Sequence, residues 1–129
     1  MANETSPIDQ SPLVDWFGFE HDMHDAEVQS IHLRHPPDKS FIRIRAFRMT
    51  AEVDDRGYFV LDRHAMVTFQ LEGVKAVQAE NWEFCSTLMN VDWELSEGLH
   101  RLTLVSVMDG SETILTAQRI TVSVEPVDA

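Results

Sequence analysis

His21-Asp22-Met23-His24-Asp25 puts two imidazoles and two carboxylates within five residues. Both groups are ordinary ligands for zinc or iron, so the stretch invites reading as a metal-binding domain or a metal-dependent hydrolase. What it could hold depends on the backbone. A helical turn would put His21, His24 and Asp25 on one side, whereas an extended chain would separate His21 and Asp25 from Asp22 and His24. His32, His35 or His64 could complete a shell. No second ligand pair at diagnostic spacing is present, and neither is H-E-x-x-H. The competing reading is a turn in which the Asp25 carboxylate accepts backbone N–H groups ahead of a strand.

Other chemistry finds less support. There is no G-x-S-x-G elbow, and five glycines scattered along the chain make no phosphate-cradling loop. Cys85 lies beside Phe84 with no basic neighbour in sequence, which predicts an inert, partly buried thiol. Arg43 and Arg45 share one face of a strand and Arg48 the other, the pattern of a solvated face paired to nearby acids. Trp16, Trp82 and Trp93 read as core or interface anchors. Residues 74–90 fit neither a helical nor a strand period, and a strand followed by a loop is expected there. Trp82 and Phe84, inside that segment, are the candidate anchors for a binding partner; the alternative is that both are core. No catalytic residue and no cofactor is expected.

The elements that must position these residues are strands. Residues 1–12 are polar, with two prolines, and read as a loose lead-in. Residues 13–17 allow one helical turn, which Gly18 ends. Strand-like alternation starts at Glu27 with a phase break near Gln29-Ser30, which predicts a bulge. Ile42, Ile44 and Ala46 alternate with Arg43, Arg45 and Phe47. Asp54-Asp55-Arg56-Gly57 is a turn, Tyr58-Phe59-Val60-Leu61 a third strand, and Ala65, Val67, Phe69 and Leu71 mark a fourth that Gly73 ends. Val91, Trp93 and Leu95 form another, and Asp109-Gly110 predicts a type I′ hairpin before a last strand through Ile120, Val122 and Val124. About eight strands at such spacings, without long amphipathic helices, predict an all-β, mainly antiparallel sandwich or flattened meander. It forms a single domain over residues 13–126, with 127–129 as a tail.

Charge narrows the partners. Twenty-two acids face ten Lys and Arg, a formal −12. A field of that sign repels phosphate backbones and anionic lipid, disfavours nucleic acid and membrane surfaces, and favours a cationic protein. A single cysteine, a start with neither basic nor apolar targeting regions, and no membrane-length apolar run predict a cytoplasmic protein. A free edge strand leaves a homodimer open.

The succession HDAEVQSIHLRHPPDKSFIRIR, then AMVTFQLEGV, then MDGSETILTAQRITVSVEP, resembles a group of small bacterial β-domains. Its members open with Trp or Phe and His-Asp-x-Glu-Val, and some are immunity proteins of polymorphic toxin systems. The likeness spans roughly residues 16–126, fits poorly over 74–90, and rests largely on apolar core positions. It implies a non-catalytic intracellular domain that docks a protein partner.

Overall fold

The computed structural model describes residues 8–128. It contains one helix, α1 (Ser11–Phe17), and six strands: β1 (Glu27–His32), β2 (Ser40–Val53), β3 (Phe59–Ala79), β4 (Leu88–Ser96), β5 (Leu99–Ser106) and β6 (Glu112–Pro126). The strands form one antiparallel sheet in the order β1-β2-β3-β6-β5-β4. It is two three-stranded meanders joined along their last strands, β3 and β6. No helix among the described residues is long and apolar enough to cross a membrane.

The all-β antiparallel expectation holds, with six strands in place of eight. The excess arose because β3 runs 21 residues and absorbs three apolar runs that look separate in sequence. Two irregularities break its phase. At Arg63 (φ 52°) an extra residue bulges out of the ladder, shifting the register between Ala46/Ala65 and Arg48/Asp62. At Gly73 (φ 65°) the inward-facing series Ala65, Val67, Phe69, Leu71 stops. β6 changes phase directly opposite, from Leu115 and Ala117 to Ile120 and Val122, with Glu72 facing Arg119 and Val74 facing Ala117. Coincident phase changes on paired strands fold the sheet over at that line while its ladder continues. Glycine suits the left-handed backbone there, and a side chain at position 73 would also have to displace the exposed Gln118 side chain.

The predicted bulge in β1 is present, between Val28 and Ser30. The turn at residues 54–57 is present too, with Asp54 Oδ1 accepting the N–H groups of Arg56 and Tyr58. The β5–β6 hairpin forms, but its five-residue connection is not a two-residue type I′ turn.

The folded sheet encloses one core. Ile42 and Ile44 of β2, Phe69 and Leu71 of β3, Leu102 and Leu104 of β5 and Leu115 of β6 are fully buried. Trp93 packs its ring 5.8 Å from that of Phe69. α1 closes one end with Leu13 and Phe17, and Gly18 ends it in the left-handed conformation by donating its N–H to Val14 O. Ile8 and Gln10 are buried as well, so part of the expected lead-in packs onto the core, while Asp9 and Ser11 are exposed. Residues 1–7 and 129 lie outside the described residues.

Candidate functional site

The two edges of the sheet meet, and the His-Asp stretch is where they do. Glu27 bridges to Thr87, Val28 N–H donates to Ser86 O, and Leu88 N–H donates to Ala26 O. Asp25 N–H donates to Leu88 O and Val91 N–H to Asp22 O, at 2.8 Å each. Residues 22–28 therefore stitch the start of β1 to the start of β4. Met23 (φ 67°) and Asp25 (φ 64°) both hold left-handed backbone to make this seam, a conformation that neighbouring hydrogen bonds must stabilise in non-glycine residues.

Each histidine in the seam is committed to the backbone. His21 is buried against Phe17 and Phe19, with ring centroids 4.4 and 5.2 Å away. Its Nδ1 accepts the Met23 N–H at 2.8 Å, which makes Nε2 the protonated nitrogen, donating to Phe47 O at 2.6 Å. Burial pushes its pKa below the usual imidazole value, so the ring is neutral near pH 7. His24 Nδ1 donates to Met89 O at 2.8 Å, leaving Nε2 3.5 Å from the Asp25 carboxylate. Asp22 Oδ1 accepts the His24 N–H. The sequence pointed to a carboxylate satisfying this turn, and it is Asp22, not Asp25. Among the described residues, no group of three or more His, Cys, Asp or Glu is placed to hold a metal ion. To bind one, His21 would have to surrender a backbone bond and leave the core.

Trp82 lies in different surroundings. The strand expected after Gly73 is present as the end of β3, through Ala79, and a 3₁₀ turn, Trp82–Phe84, follows it. Trp82 is 54% exposed, so the alternative that it is core does not hold. Phe84 closes the turn, and its side chain is outside what the structure describes. The segment is firmly held. Asn81 takes a left-handed conformation (φ 43°) and its Nδ2 donates to Asp109 Oδ2 at 3.0 Å and to Ser111 Oγ at 2.9 Å. Ser111 in turn donates its hydroxyl and its backbone N–H to the Asp109 carboxylate, which holds that carboxyl below its usual pKa. Glu80 N–H donates to Glu112 O, and Cys85 N–H donates to Trp82 O. Cys85 is buried, its Sγ accepting the Thr113 hydroxyl at 3.5 Å.

The clamp of Asn81, Asp109 and Ser111 was not singled out in sequence. Its signal is Asn81 itself, a residue type that tolerates left-handed backbone, placed directly before the only aromatic pair in an unperiodic segment.

Two stretches of the chain are rich in acids. Residues 76–100 carry five acids and no Lys or Arg, and residues 9–33 carry six acids and no Lys or Arg. The seam brings the two stretches together, so Asp22, Asp25 and Glu27 run alongside the chain that carries Glu83 and Asp92. Met89, exposed beside His24's carbonyl partner position, adds a second apolar group to an acidic surface. Such a surface can attract a cation over distance and bury an apolar anchor on contact. Compared with family profiles, with curated proteins and with solved structures, the chain finds no match in any of the three.

Proposed function

We propose that this chain is a non-catalytic intracellular binding domain that docks a cationic protein on the acidic face carrying Trp82, in the manner of the immunity proteins it resembles. The observation that carries the reading is the placement of Trp82. A large aromatic is exposed to solvent next to a hydrogen-bonded clamp, within 25 residues that contain no Lys or Arg and five acids, one of which, Glu94, pairs with Arg101. A rigid aromatic loses little conformational freedom on binding and supplies a large buried area, which is why such residues dominate interface energetics. The acids around it accelerate encounter with a basic surface more than they add affinity.

The test is to capture a partner with the purified chain from the proteome of its source cell, and to repeat the capture with Trp82→Ala. A basic protein retained by the wild type and lost or weakened with the variant supports the reading; equal retention by both contradicts it. Elemental analysis separates it from the metal reading. Close to one zinc, iron or manganese per chain, lost in a His24→Ala/Asp25→Ala variant, would favour the metal.

A further inference from the structure

The β2–β3 hairpin outgrows the sheet. β1 begins at Glu27, opposite Arg45, and β6 ends at Pro126, opposite Ala65. Beyond those points one further backbone bond, from Val127 N–H to His64 O, reaches β3, and β2 and β3 then pair with each other as Arg48/Asp62, Met49/Leu61 and Val53/Phe59. Residues 47–64 thus form a two-stranded arm whose outer edges have no neighbouring strand among the described residues. Its base is anchored on both strands. Phe47 O accepts His21 Nε2–H, and Arg63 O accepts the Trp16 indole N–H at 2.9 Å, with the Arg63 guanidinium 4.7 Å from the centre of the Trp16 ring. Arg48 and Asp62 add a two-pronged ion pair at 2.9 and 2.8 Å.

Six large apolar residues stand exposed on this arm: Met49, Val53, Tyr58, Phe59, Val60 and Leu61. Tyr58 and Phe59 are 68% and 56% exposed. Met49 pairs with Leu61 and Val53 with Phe59, so these four share one face, and an apolar patch on an unpaired two-stranded arm marks an association surface.

We infer that the occupant is a second copy of this chain, docked arm to arm across a two-fold axis. Charge selects it. Between Arg48 and Arg63 the arm carries four acids and three arginines, a net of −1 in a chain of −12. It is a part of the surface where two such acidic molecules can meet without facing each other's full charge, and it offers a cationic partner no special attraction. Area agrees with a weak, concentration-dependent dimer: the four side chains on one face, Met49, Val53, Phe59 and Leu61, expose roughly 400 Å² per copy, about half the ~800 Å² per partner of a standard interface. An isologous contact needs one self-complementary patch, and an antiparallel edge with apolar groups on it provides one. This inference does not rest on the Trp82 reading.

Sedimentation velocity over a concentration series, with hydrogen exchange at the same concentrations, tests it. The wild type should pass from monomer to dimer, with protection rising in residues 48–62. Phe59→Lys should weaken the dimer at least about tenfold. Lys lowers the net negative charge, so general repulsion cannot account for the loss. Circular dichroism checks that the variant is folded; if it is not, Met49→Ser on the same face takes its place. Trp82→Ala should leave the dimer unchanged. A wild type monomeric at every concentration overturns the inference, as does a dimer that Trp82→Ala abolishes and Phe59→Lys spares.

Discussion

Two of the regions of this molecule that expose apolar side chains differ in everything except that. The arm of residues 47–64 is nearly neutral, projects past the core, and is held by a few bonds at its base. The Trp82 segment is flanked by acids, lies on the seam side of the sheet, and is clamped by the side chains of Asn81, Asp109 and Ser111. Apolar exposure alone would predict that both stick to the same things. Charge separates them, because a −12 chain approaching its own copy is repelled from its acidic face and tolerated at its neutral one, while a basic protein is drawn the other way.

The largest expected effect comes from the residue that joins the arm to the core. His21→Ala removes a buried ring and leaves the Met23 N–H and Phe47 carbonyl without their partner. It should cost about 2–4 kcal/mol in urea unfolding. Loss of exchange protection should extend into the arm, where an effect confined to the seam would show that the Phe47 bond does not anchor it.

Next comes Trp82→Ala. Dissociation of the captured partner should speed up about 10–100-fold, with folding stability changed by no more than about 0.5 kcal/mol. A stability loss several times larger would make Trp82 a packing residue and erase the contrast between the two regions.

The pH dependence of stability is a smaller, separable effect. His21 has a folded pKa below its unfolded value of about 6.5, so the unfolded chain binds more protons between the two. Stability should therefore fall as pH drops through the unfolded value toward the folded one. The slope in that window should vanish in His21→Gln. Asp62 and Asp109 are shifted downward, by the Arg48 hydrogen bonds and by Ser111. Their contribution is present above the ordinary carboxylate range and is lost in more acidic solution, so the His21 effect sets in first as pH falls.

The smallest effect tests the clamp. Asn81→Ala removes two exposed hydrogen bonds and should cost at most about 1 kcal/mol of stability. It should still speed partner dissociation severalfold if the clamp orients Trp82; an unchanged rate would show that Trp82 needs no positioning.

Much of the fold was legible because alternation survives within each pleated stretch, as in Ile42, Ile44 and Ala46 or Leu102 and Leu104. What alternation does not carry is continuity. Arg63 and Gly73 break the phase of β3 without breaking its ladder, and one long strand therefore resembled several. Gly18 and the Val28/Ser30 bulge were readable because a glycine stop and a phase slip are local. The seam was not, since the bonds of Asp25 to Leu88 and His24 to Met89 span more than 60 residues and leave no local pattern. His21 illustrates the difficulty: its residue type and its neighbour Asp22 suggest a ligand, and only the positions of Met23 N–H and Phe47 O show both nitrogens in use. The arm carried a signal that alternation obscures, because Tyr58-Phe59-Val60-Leu61 is apolar on both faces of a strand whose surroundings cannot bury either.

Ionic strength tests the division between the two surfaces most directly. The association rate of the captured basic partner, by surface plasmon resonance, and the self-association constant, by sedimentation, are measured in the same buffers as salt is raised. Screening shortens the reach of the acidic field over the same range in both experiments. The partner's association rate should fall as its steering is lost, while self-association should strengthen as repulsion between the copies is relieved. Both responding in the same direction, or neither responding at all, would contradict the account.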